Sequence, residues 1–140
     1  MHANDRTIAV VREWVTKAEN DLKNAAHTVK IEKGCPTDTV GFHAQQCVEK
    51  YLKAFLVYKG IDFPRTHDIE SLVTLLPEKV WLRLSIEEQR KLTAYATVTR
   101  YPGEYETIPR AEAQQSVRLA RRVRKELRTL LPKEVLRRRR

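Results

Sequence analysis

The stretch Gly41–Tyr58, GFHAQQCVEKYLKAFLVY, constrains the fold more than any other part of the chain. Val40, Ala44, Cys47, Val48, Tyr51, Leu52, Phe55 and Leu56 recur at spacings of three and four, which places them on one broad apolar face of a helix. So wide a face must be covered by other helices. His43, Gln46, Lys50 and Lys53 recur at the same spacing and make an adjoining polar strip that can face a groove or a partner.

The flanking segments supply the cover. Ile8, Val11, Val15, Ala18, Leu22, Ala25 and Val29 alternate three and four apart, the seam of an amphipathic helix from about Thr7 to about Lys30 that suits a bundle or a dimer. Gly34, Cys35 and Pro36 stop it, and Thr37 or Asp38 is expected to cap the next helix, which ends at Lys59-Gly60. After Pro64, Thr66 or Asp68 can cap a short helix from about Ile69 to Leu76, closed by Pro77. Ser85-Ile86-Glu87-Glu88 is a capping box launching a helix that turns Leu92, Tyr95 and Ala96 inward. Pro102 disfavours helical geometry at Tyr101 and so marks a boundary. Pro109 opens a last helix with Ala113, Val117, Ala120, Val123, Leu127 and Leu130 on its core face, and Pro132 ends it. No segment alternates as a strand does. The expectation is an all-α, up-and-down helical bundle of four long helices plus one short helix over residues 1–132, then a basic tail over 133–140.

Composition narrows the function classes. The 140 residues suit one domain, and no apolar run approaches the roughly 20 residues of a membrane span. The start MHANDRTIAV lacks the features of a secretory signal, so a cytoplasmic protein is expected. Cys35 and Cys47 form no close metal-ligand pair, and Cys47, on the apolar face, reads as a buried free thiol; no metal or cofactor is expected. The net charge of +9 is concentrated at one end: residues 116–140 carry eleven Lys/Arg against two Glu, and the remainder is balanced. That end holds no aromatic residue, so it suits non-specific electrostatic contact with RNA and not base stacking.

Three segments in order, FHAQQCVEKYLKAFL (Phe42–Leu56), PRTHDIESL (Pro64–Leu72) and TRYPGEY (Thr99–Tyr105), resemble a prokaryotic HEPN domain of the type described as a nucleotidyltransferase substrate-binding partner. The resemblance implies a helical bundle, usually a homodimer, often encoded beside a minimal nucleotidyltransferase in toxin–antitoxin or related defence systems. It also implies nucleotide or RNA as the ligand class. Ribonucleases of this family carry an Arg followed after four to six residues by a His, which together activate a ribose 2′-hydroxyl and stabilise the phosphate. Here the positions five to seven before His27 are Leu22, Asp21 and Asn20; before His43, Asp38, Thr37 and Pro36; before His67, Asp62, Ile61 and Gly60. His2 lies too near the start. None is Arg, so a non-catalytic binding or docking component is expected, with a rearranged ribonuclease or a purely structural interaction protein as alternatives.

Three groups of residues are candidates for a ligand. Arg100 can hold a phosphate bidentately while Tyr101 and Tyr105 contact a base or sugar; alternatively the turn is structural, with Arg100 paired to Glu104. Lys50 and Lys53, a turn apart, can bind an anion with His43 beside them; alternatively this is a solvated face, with Lys53 paired to Glu49 at i,i+4 and His43 satisfied locally. Arg65 and His67 precede the short helix, where they can complete a phosphate pocket or merely flank a cap formed by Thr66 or Asp68.

Overall fold

The computed structural model describes residues 4–97 and 107–137. Its elements are α1 (Asp5–Thr28), α2 (Thr37–Tyr58), α3 (Ile69–Thr74), α4 (Ile86–Ala94), α5 (Arg110–Arg128) and α6 (Lys133–Leu136), with no strand among the described residues. The chain is all-helical, as the spacing predicts. None of these helices is long and apolar enough to cross a membrane.

The apolar seam of α1 is buried from Val11 through Val15, Ala18 and Leu22 to Ala25, and it packs on α2. α2 also touches α3, α4 and α5, so it is the helix the others surround. Its surroundings bury more than the predicted apolar face: Gln45, Glu49 and Lys53 are enclosed along with Val40, Ala44, Cys47, Val48, Tyr51, Leu52, Phe55 and Leu56. Part of the polar strip is therefore interior, which helical spacing alone does not reveal.

The caps follow the sequence at most ends. Gly60 adopts φ +69, the left-handed conformation that only glycine takes without cost, and closes α2. Asp68, not Thr66, caps α3 by accepting from Ser71 N at 3.3 Å, while Thr66 Oγ1 accepts from Asp68 N. Both hydrogen bonds of the Ser85/Glu88 capping box are present. The start of α2 differs. Pro36 occupies the N-cap with no side-chain cap, and the Thr37 hydroxyl has no hydrogen-bond partner. Asp38 instead accepts from Ile108 N at 3.2 Å, tying the start of α2 to the chain entering α5. Arg110, opening α5, donates to the carbonyls of Val29 and Ile31, which satisfies acceptors left over where α1 ends.

One expectation at the C-terminal end is corrected. Leu130 is 44% exposed, and Leu131 takes the inward position, because the helix has ended at Arg128 and the periodicity no longer applies. Beyond Pro132, Lys133–Leu136 form a further short helix that buries Val135 against α1. Arg12 fixes it there, donating from Nη2 and Nε to the Glu134 carbonyl at 2.6 and 3.2 Å.

Candidate functional site

The polar strip of α2 is organised around two buried carboxylates. Asp21, on α1 beside the seam residue Leu22, is 7% exposed and faces α2. Its Oδ1 lies 2.8 Å from His43 Nδ1, and its Oδ2 accepts from Lys50 Nζ at 2.5 Å. His43 and Lys50 are seven residues apart, two turns of one helix face, so a single carboxylate reaches both. An ionised carboxylate only accepts, so Nδ1 of His43 carries the proton in this contact.

Glu49 is the second centre. Its Oε1 accepts from Gln45 at 3.1 Å and lies 2.7 Å from His67 Nδ1, and its Oε2 accepts from Lys53 Nζ at 3.1 Å. Gln45 also donates to the His67 carbonyl, fastening the connection before α3 to α2. The Lys53 ammonium lies 5.6 Å from the Trp14 ring centre and 5.8 Å from that of Phe63, so two aromatic faces complete its enclosure. His67 differs from the rest: its side chain is 70% exposed while the carboxylate that orients it is buried.

Lys53 is thus paired with Glu49 at i,i+4, yet it is buried where that pairing suggested a solvated face. His43 is satisfied across helices by Asp21, not within α2. Sequence reasoning left out Asp21, Trp14 and Phe63, whose roles depend on contacts between segments. Arg65 is exposed and has no hydrogen-bond or ion-pair partner among the described residues. Arg100, Tyr101 and Tyr105 lie outside the described residues.

A third constellation joins three helices. Glu19 of α1 accepts from Arg124 Nε and Arg128 Nη1 of α5, each at 2.9 Å, and Arg128 donates to the buried hydroxyl of Tyr51 on α2 at 3.3 Å. Burial pushes the Glu19 carboxyl upward, but the hydrogen bonds of Arg124 and of the Tyr51 hydroxyl, with the charges of Arg124 and Arg128, outweigh it and hold the group below the usual range. Burial raises the Tyr51 phenol and the Cys47 thiol, so both stay protonated at neutral pH. Cys35 and Cys47 are free, and Cys47 is a packing residue and not a nucleophile. Among the described residues no group of three or more His, Cys, Asp and Glu is placed to hold a metal ion.

The HEPN domain family profile matches residues 11–130, from within α1 to just past the end of α5. The chain belongs to the HEPN domain family. This HEPN domain resembles TT1696 from Thermus thermophilus with a TM-score of 0.71 and 27% identity, over 86% of this chain and 98% of that one. It resembles ST0689, an archaeal HEPN homologue, with a TM-score of 0.65 and 26% identity, over 86% of this chain and 96% of that one. A search of curated proteins gives no significant match. In this HEPN domain the two buried carboxylates neutralise both lysines of the strip, so the strip is an ion-pair network and not an open pair of cations.

Proposed function

We propose that this HEPN domain is a non-catalytic binding component that works with a minimal nucleotidyltransferase in a toxin–antitoxin-like system, as a cytoplasmic homodimer. Its ligand is the phosphate of a nucleotide or nucleic acid, or the nucleotidyltransferase itself. The observation that supports a non-catalytic role is the sequence around the four histidines, none of which follows an Arg at the ribonuclease spacing. Phosphate contact then falls on Arg65, exposed and unpaired among the described residues, with Arg100, Tyr101 and Tyr105 as its expected companions. Lys50 and Lys53 act indirectly: each is held on a carboxylate and stabilises the helix that carries the surface.

Calorimetric titration of nucleotides and short RNA into the protein tests this reading, with Arg65→Ala and Arg100→Ala as variants. Binding weakened by either variant supports it; binding indifferent to both removes these residues from the site. Co-purification with a minimal nucleotidyltransferase without affinity for nucleotides supports docking alone.

One observation favours a second reading, a metal-independent ribonuclease. His43 and His67 each direct Nδ1 at a buried carboxylate, the arrangement that fixes an imidazole's tautomer for proton transfer, and the His67 ring is exposed. RNA cleavage in the presence of chelator, lost in His67→Ala or His43→Ala, would establish that activity.

A further inference from the structure

An open pocket of about 540 Å³ lies between α1, α5 and α6, away from the polar strip of α2. We propose that it binds a small organic phosphate of nucleotide size. The inference takes its ligand class from the reading above but assigns a separate site, built from different residues.

Charge carries the argument. Among the described residues four cations line the pocket, Lys23, Arg124, Arg128 and Arg137, against a single carboxylate, Glu19, which leaves a formal +3. Glu19 bonds both Arg124 and Arg128, so it holds two guanidiniums in place while neutralising the charge of one. Lys23 and Arg137 are exposed and have no hydrogen-bond or ion-pair partner among the described residues. The contrast with α2 is direct: there each lysine has its own carboxylate, whereas here the cations outnumber the acid. Guanidiniums positioned in this way present paired N–H donors that match phosphate oxygens.

Shape and rigidity define the ligand further. Val15, Leu22, Val135 and Leu136 give the pocket an aliphatic wall, which a bare phosphate would leave uncovered and an organic phosphate can cover. The volume lies within the range of small-molecule sites, roughly 300–1,000 Å³. The far wall is already in place, because Arg12 holds the Glu134 carbonyl and Val135 is buried on α1. Arg128 is braced from beneath by the Tyr51 hydroxyl. Among the described residues no aromatic side chain lines the pocket, so phosphate dominates recognition and the base contributes little discrimination.

Isothermal titration at low salt with ADP, UDP and inorganic pyrophosphate tests the site, using the full chain and the surface variants Lys23→Glu and Arg137→Glu beside Arg65→Ala and Arg100→Ala. Thermal melts confirm that each variant is folded. The expected result is comparable affinity for ADP and UDP, weaker binding of pyrophosphate, and a loss of roughly tenfold or more in Lys23→Glu and in Arg137→Glu, one charge-assisted contact each, in addition to whatever Arg65→Ala and Arg100→Ala remove at the site proposed above. Binding lost in Arg65→Ala or Arg100→Ala and retained in Lys23→Glu and Arg137→Glu would overturn the pocket and leave the phosphate-binding reading standing. No binding of any of the three ligands by the unaltered protein would overturn the pocket and the nucleotide form of the reading above, leaving RNA binding or docking to the titrations with RNA and the co-purification.

Discussion

Glu49 and Lys53 form an ion pair 3.1 Å apart across one turn of α2, with both side chains more than nine-tenths buried. Isolated i,i+4 pairs on exposed helices contribute only a few tenths of a kcal/mol. This pair is different because each charge has left water, so each depends on the other.

Glu49→Ala would strand the Lys53 ammonium between Trp14 and Phe63 and remove the acceptor for Gln45 and His67. The expected loss is about 3–5 kcal/mol, the usual consequence of breaking a buried pair by removing one partner. Urea denaturation measures it, and a loss below about 1 kcal/mol would mean that water reaches Lys53 readily.

Gly41 lies where α2 meets the end of α4 and the approach to α5. A side-chain carbon there would come within 3.1 Å of both Ile108 Cδ1 and Tyr95 Cγ, and Tyr95 is anchored to Glu112 by its hydroxyl. Gly41→Val adds that carbon and two methyl groups beyond it, and is expected to destabilise by about 1–3 kcal/mol despite the higher helix propensity of valine. A thermal melt reads the effect.

Glu19 makes stability depend on acid. Its folded-state pKa is depressed, so its contribution is fully present above the unfolded glutamate value, about 4.3, and is lost as pH falls through the lower folded value. Urea midpoints of the unaltered protein should fall between about pH 5 and pH 2 more steeply than those of Glu19→Gln, which should also be less stable at neutral pH. Parallel acid limbs in the two proteins would show that Arg124 and Arg128 do not set this group.

Ser85→Ala removes the acceptor for Glu88 N and dissolves the capping box of α4. The expected loss is about 1 kcal/mol. Glu88 also faces Arg122 at 3.5 Å, so Glu88→Ala should cost at least as much. Chemical denaturation of both variants decides the order.

Much of this was legible before any coordinates. The α1 seam, the apolar face of α2, the Gly60 stop and the Ser85/Glu88 box are local: a helical period, a left-handed glycine and a residue bonding three positions along depend on neighbours in the chain. The start of α2 misled for the opposite reason. Asp38 has the chemistry of a cap but is taken by Ile108, seventy residues away in the sequence and adjacent only in the fold. Leu130 kept the right period past the point where α5 had ended.

The candidate sites divide along the same line. That Lys53 has Glu49 one turn back can be read from the sequence; that the pair is interior, shared with His67 and enclosed by Trp14 and Phe63, cannot. Asp21 looks like an ordinary acidic residue beside an apolar seam until packing brings His43 and Lys50 onto it. The basic end of the chain was evident from charge counting, yet its division between solvent and the Glu19 pocket required α1, α5 and α6 to meet. By itself the sequence determined an all-helical HEPN domain, because helical periodicity and chain punctuation act over a few residues. Only the tertiary structure decided which charges are matched and which are in excess, because that depends on distances between segments and on the water each group has lost.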